Sequence, residues 1–190
     1  YEYLRNGGAP TLGNWVPYAP PGSDTHAVLD FVNGQIPASS QTWRELESYR
    51  RLWKGPLIVK GILHPDDAIR AAELGAEGVI VSNHGGRQLD RAPASVEAFP
   101  AIKAAVGARL TLMLDSGVRR GADIVIGLCL GAAFVFVGRA AVYGVVAGGE
   151  AGATRTIDIL RQQIDTNLGQ MGITAIDQLG PHCLTELATV

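Results

Sequence analysis

Cysteine is nearly absent from this chain: Cys129 and Cys183 are the two it has among 190 residues, with no CxxC pair and no metal-ligand spacing. That argues against a disulfide scaffold and against a zinc site, and no metal is expected. Excess charge of either sign is missing too. A net charge of −2 with 47% hydrophobic residues describes an ordered globular chain and gives nucleic acid no basic surface to bind. No apolar run is long enough to cross a bilayer, because the longest, 121–147, is broken by glycines, Asp123 and Arg139 and reads as helix, strand and helix. The opening Tyr1-Glu2-Tyr3-Leu4-Arg5-Asn6 carries neither an initiator methionine nor a signal-peptide pattern. The sequence therefore reads as a proteolytic fragment or one piece of a divided protein, and a cytoplasmic location is expected. Lysine and arginine are absent between Arg5 and Arg44, while glycine, proline and serine are frequent from 7 to 40. This predicts a long loop over 7–40 acting as a lid, with Trp15, Val16 and Tyr18 as apolar docking groups. Docking on an anionic membrane would call for the basic residues that this segment lacks.

Order resumes at Thr42, where Thr42-Trp43-Arg44-Glu45 fits a capping box and Trp43, Leu46, Tyr49 and Trp53 follow at helical spacing, an arrangement expected to bury the aromatics. The chain then repeats one pattern, a short apolar strand, a loop and a helix closed by glycine. Strands are predicted at 56–60, 78–82, 110–115 and 133–138, and helices at 65–74, 95–106, 121–130 and 140–147. A last amphipathic helix over 154–171 places Ile157, Leu160, Ile164 and Leu168 on one face. Such alternation, with strands apolar almost throughout, points to a parallel α/β sheet covered by helices. A doubly wound sheet is disfavoured because the GxGxxG and P-loop phosphate patterns are both missing. The alternative is a (β/α)8 barrel, which typically needs about 250 residues. On that reading residues 1–190 are the C-terminal part of one barrel domain, with strands 5–8 in 41–190. Two open strand edges would then make it stable only beside its missing half.

In both architectures functional groups gather at the carboxyl ends of the strands. Here those ends read Lys60, then Ser82-Asn83-His84-Gly85-Gly86-Arg87-Gln88-Leu89-Asp90, then Asp115-Ser116-Gly117-Val118-Arg119-Arg120-Gly121, then Gly138-Arg139. Any one of these charges alone is most simply a solvated strand end. Four in succession are not explained by solubility. His84 and Arg87, three positions apart on a glycine-bearing turn, can set a proton acceptor beside a carboxylate clamp. Arg119 and Arg139, each within two residues of a glycine at a helix entrance, suit a phosphate. His64, ahead of Pro65-Asp66-Asp67, reads as a helix entrance, and Cys129 as core.

These strings resemble, from Arg5 onward, the C-terminal half of the FMN-dependent 2-hydroxy acid dehydrogenases and oxidases, a family with glycolate oxidase, lactate oxidase, flavocytochrome b2 and (S)-mandelate dehydrogenase among its members. The strings that carry the resemblance are Leu57-Ile58-Val59-Lys60-Gly61, the Ser82–Asp90 and Asp115–Asp123 stretches, and Gly138-Arg139. The 43–53 helix is most similar to the mandelate branch. The resemblance implies FMN as cofactor and oxidation of an L-2-hydroxy acid to the 2-oxo acid. It implies Lys60 and Ser82 on the flavin, His84 as the active-site base, Arg87 on the substrate carboxylate, and Asp115 facing His84 to stabilise its imidazolium. Asp115, Ser116, Gly117, Arg119, Gly138 and Arg139 would hold the cofactor, the last residues of this set at its phosphate. A second carboxylate-binding arginine, and the half of the barrel holding the rest of the flavin, would lie upstream of Tyr1. The N-terminal half is thus an expected partner, a homo-tetramer is expected by analogy, and the fragment alone should be close to inactive. Two other readings of the residues stand beside this one: another FMN-barrel enzyme of the isomerase or nucleotide-dehydrogenase type, and a non-catalytic phosphate-binding fragment.

Overall fold

The computed structural model describes residues 11–35 and 41–185, and the chain divides into two compact units, 1–48 and 49–190. In the first unit the expected loop is a correction. A 3₁₀ turn at Gly13–Tyr18 and an α-helix at Thr25–Gln35 (α1) occupy most of its described part. Val28 and Val32, four apart on α1, are buried with Ala19, and Trp15 packs on them while meeting Phe31 edge-on at 6.4 Å between ring centres. The frequent glycine and proline of 7–40 hid this small core, since they lower helix propensity without forbidding a short amphipathic turn. Asp24 accepts the Ala27 amide at 2.8 Å and so opens α1 as a cap would. The parts of the predicted loop at 7–10 and 36–40 lie outside the described residues.

The helix Trp43–Leu52 (α2) spans the boundary between the units. Its capping box is present: the Thr42 amide donates to Glu45 Oε2 at 2.7 Å and the Arg44 amide to Thr42 Oγ1 at 3.2 Å. The expectation that its aromatics are core fails, for no residue of α2 is buried and Trp53 beyond it is 56% exposed. What fixes its carboxyl end is polar. Arg50 donates to the carbonyls of Trp53, Gly55 and Gly75 and pairs with Glu77 at 3.1 Å, while Glu77 also accepts the Leu57 amide at 2.6 Å. One guanidinium therefore ties the end of α2 to the starts of two strands.

Those strands are β1 (Ile58–Ile62) and β2 (Gly78–Val81), followed by β3 (Thr111–Leu114) and β4 (Phe134–Val135) in one parallel sheet of order β1-β2-β3-β4. Between them run α3 (Pro65–Glu73), α4 (Ser95–Val106) and α5 (Gly121–Cys129), and after β4 comes α6 (Arg139–Gln170). Three boundaries differ from the sequence expectation, the first being that β4 ends at Val135 rather than at 138. β1 begins later, so Lys60 sits in its middle, with a bulge after it at Gly61, whose φ of 99° suits glycine. The two expected helices after β4 form one element, broken at Gly148 and Gly149 by non-helical backbone. His64 caps α3 as expected, its Nδ1 accepting the Asp66 amide at 3.2 Å.

β2 and β3 are buried nearly throughout, with Val79, Val81, Leu112 and Leu114 at 2% exposure or less, under the helix residues Phe99, Ile102 and Val106. The edge strands are not: Ile58 is 48% exposed and Phe134 56%. Cys129 is core, as expected. Burial first and the adjacent Cys183 thiol second push its own thiol above the ordinary cysteine range. α5 meets α6 at Gly121, where a β-carbon would stand 2.7 Å from the Ile164 nitrogen and 2.8 Å from the Leu160 oxygen. Backbone cannot yield as a flexible side chain does. Gly121→Ala is therefore expected to lower unfolding free energy by about 1–3 kcal/mol, read by chemical denaturation of the complete protein, whereas an unchanged midpoint would mean the helices are free to move apart.

Candidate active site

The parallel register sets the ends of β1, β2 and β3 side by side. Val81 pairs with Leu114, and the Asp115 amide donates to the Val81 carbonyl at 3.0 Å, so Ser82 and Asp115 leave the sheet as neighbours. Asp115 Oδ2 then becomes a hub. Ser82 Oγ donates to it at 2.5 Å, Lys60 Nζ pairs with it at 3.2 Å, and Ser116 Oγ lies at 3.3 Å. Lys60 also donates to Ser82 Oγ at 3.1 Å. Burial alone would raise the Asp115 carboxyl, but the Ser82 hydroxyl and the Lys60 charge together outweigh it, and the group stays below its ordinary range. Asp115 is thus a carboxylate that holds Lys60 in place.

Asp115 was expected to face the His84 ring, and both residues line the cavity described below. Its carboxylate is taken up by Ser82, Lys60 and Ser116, and among the described residues no acidic side chain pairs with His84.

His84, Gly85 and Gly86 all have left-handed backbone, at φ 56°, 68° and 74°. Glycine takes that conformation freely, whereas histidine there costs on the order of 1 kcal/mol. What sustains the turn is that each of four successive amides has a partner. Asn83 donates to Ser95 Oγ at 3.0 Å, His84 to Ser82 Oγ at 3.1 Å, Gly85 to Ser116 Oγ at 3.0 Å and Gly86 to Asn83 Oδ1 at 3.2 Å. The His84 side chain rides on this turn, and Arg87 follows it with its guanidinium exposed. Ser95, 2% exposed, escaped the sequence reading because a serine opening a helix signals only the helix.

Lys60, His84, Arg87, Asp115, Gly117, Arg119, Gly138 and Arg139 line one open cavity of roughly 280 Å³, and Ser116, Phe136 and Val142 complete its wall. All the expected site residues except Ser82, which lies beneath in the hub, therefore share one space. The anion end is arranged differently from expectation. At α5 three leading amides are already used: Arg119 and Arg120 donate to Asp123 Oδ2 at 2.8 and 2.9 Å, and Gly121 donates to Gln163 Oε1 at 2.8 Å. At α6 no side chain caps the helix, and no hydrogen bond closes on the Arg139 or Ala140 amides among the described residues. The free helix terminus is thus that of α6, with Gly138 and Gly117 leaving open space where a β-carbon would sit. Arg139 Nη2 donates to the Gly85 carbonyl at 3.2 Å, so it also braces the His84 turn. A phosphate held by Arg119, Arg139 and the α6 amides, with a fixed ammonium at Lys60 across the same cavity, fits the two ends of a flavin mononucleotide.

Three comparisons bear on this site. The family model of FMN-dependent dehydrogenases matches residues 10–186. An FMN-dependent alpha-hydroxy acid dehydrogenase of Penicillium citrinum, qulF, is 46% identical over 77% of this chain and 37% of its own length. An L-lactate dehydrogenase of Caulobacter vibrioides is 42% identical over 92% of this chain and 45% of its own. Among solved structures, the monotopic membrane protein (S)-mandelate dehydrogenase superposes with a TM-score of 0.88 at 40% identity, covering 97% of this chain and 48% of that one. The chain spans less than half the length of these relatives. No described helix is long and apolar enough to cross a membrane.

The Lys60–Asp115 pair makes a pH test. A carboxyl lowered in the folded state contributes stability that is present above its ordinary value of 3.8 and is lost as pH falls through the folded value. Lys60→Met removes part of that lowering. The parent is therefore expected to exceed the variant in stability most at neutral pH, with the gap closing well below the ordinary carboxylate range. Denaturation curves across that range check it; a gap independent of pH would mean the pair is not what lowers Asp115.

Proposed function

This chain belongs to the FMN-dependent dehydrogenase family, whose cofactor is FMN, and we propose that its cavity oxidises an L-2-hydroxy acid to the corresponding 2-oxo acid. The observation that carries the proposal is the gathering of Lys60, His84, Arg87, Arg119 and Arg139 from successive strand ends onto one cavity. FMN, when bound, supplies the electron acceptor for the two electrons that leave the substrate. Everything else falls to side chains of the protein. Arg119, Arg139 and the α6 amides hold the phosphate, and Gly117 and Gly138 admit it closely. Lys60, fixed by Asp115 and Ser82, would offer positive charge to the bound flavin.

His84 is the base that accepts the proton released as the hydroxyl carbon becomes a carbonyl. Its fixed backbone is what a base needs to be held at the reacting atom. Arg87, exposed on the same turn, presents a planar fork to the substrate carboxylate. The isomerase or nucleotide-dehydrogenase reading is less well supported, because a base and an exposed arginine three residues apart match a small carboxylate.

The remaining half of the barrel is the proposed partner. β1 and β4 are sheet edges with exposed apolar residues, and such edges call for further strands. Co-production with the N-terminal half is expected to give a yellow, active assembly and 1–190 alone little flavin reduction.

In the complete FMN-loaded protein, His84→Ala is expected to retain flavin and slow its reduction by substrate by roughly 10²- to 10⁴-fold. Arg87→Met is expected to raise the substrate concentration for half-maximal rate sharply. Anaerobic stopped-flow absorbance with L-lactate and (S)-mandelate reads both. Rapid reduction in His84→Ala would remove it as the base.

A further inference from the structure

We propose that Ser116 is a positioning residue for His84, acting through its hydroxyl on the turn that carries the base; this rests on the reading of His84 given above. The sequence reading counts Ser116 among the cofactor-holding residues, but its hydrogen bonds run from the end of β3 to the turn after β2. Its Oγ accepts the Gly85 amide at 3.0 Å and stands 3.2 Å from Ser82 Oγ and 3.3 Å from Asp115 Oδ2.

Proton counting shows why Ser82 cannot do this alone. Ser82 has one hydroxyl proton, which goes to Asp115, and two lone pairs, which take the Lys60 ammonium and the His84 amide. It is full. The Gly85 amide, one residue further on, is left to Ser116, whose own proton then points to the Asp115 carboxylate. Two serines from different strands thus hold two successive amides, and both are anchored on one ionised oxygen.

The backbone argues for the hydroxyl as well. Ser116 has φ 85°, a conformation that glycine adopts freely and serine resists. The side chain is therefore present against the local preference of its own residue. Its importance grows when the site is filled. Among the described residues the Gly85 carbonyl is held by Arg139 alone, the same arginine proposed for the phosphate, so an anion competes for that brace. Gly85 has no side chain to restrict it, and with Arg139 drawn to the anion the Ser116 hydroxyl is the remaining hold on its polar groups.

Ser116→Gly separates the hydroxyl from the backbone, because it removes the first while suiting the second. A role in backbone shape alone predicts a variant at least as stable and as fast as the parent. The proposal predicts, in the complete FMN-loaded protein, unchanged flavin occupancy and melting temperature. It also predicts amide-deuterium exchange in the 82–87 peptide at least several-fold faster, a readout that needs no substrate. The limiting rate of flavin reduction should fall roughly 10- to 100-fold, with the half-saturating substrate concentration moving much less. Ser116→Ala, which keeps the β-carbon, should match it. Parent-like exchange and rate in Ser116→Gly overturn the proposal. His84→Ala measured alongside separates the two readings: a fast His84→Ala overturns the base assignment, while a slow His84→Ala beside a parent-like Ser116→Gly overturns the positioning role alone.

Discussion

The ion pair between Lys60 and Asp115, completed by the Ser82 hydroxyl, is the interaction on which the site depends. It joins the ends of three adjacent strands at one carboxylate oxygen. Removing any member would leave a partly buried polar group without its partner, which costs more than the bond itself contributes. From this point the arrangement spreads outward. Ser82 passes the constraint to the His84 amide and Ser116 to that of Gly85, while Lys60 keeps a charge at the cavity floor, 45% exposed although bonded twice. A surface pair of the same residues would be worth little; this one gains from fixed backbone on both sides.

The sheet makes that interaction inevitable. A parallel register with Val81 opposite Leu114 delivers the next residues of both strands to the same level, and Lys60 on β1, paired with Ile80, reaches them with its side chain. The helices then divide the remaining labour. α5 closes its own amino terminus with Asp123 and Gln163, whereas α6 leaves its first amides free beside Arg139. One terminus is therefore structural and the other available to an anion, although the two strand ends look equivalent as sequence.

Much of this was legible before any coordinates. The α/β repeat, the parallel sheet, helix Ser95–Val106 and the His64 cap follow from periodicity and capping residues, which act locally. Most of the expected cavity residues were legible because they lie one to six positions after an apolar strand, while Lys60 sits within β1. What escaped reading depended on distant partners. Sequence cannot say that Asp115 Oδ2 gathers Lys60 and Ser82, or that Gln163, 42 residues on, occupies the Gly121 amide. Nor could composition show α1, whose Val28 and Val32 find a core among residues that propensity assigns to loops.

The family membership and the geometry converge on one claim, that FMN phosphate, flavin edge and substrate carboxylate are met by successive strand ends of a single cavity. A crystal structure of the complete protein with FMN and a 2-oxo acid product tests it most directly. The account predicts the phosphate on Arg139 and the α6 amides, the product carboxylate on Arg87, and its carbonyl oxygen within hydrogen-bond reach of His84. A product carboxylate bound away from Arg87, or a phosphate seated on α5 instead, would contradict it.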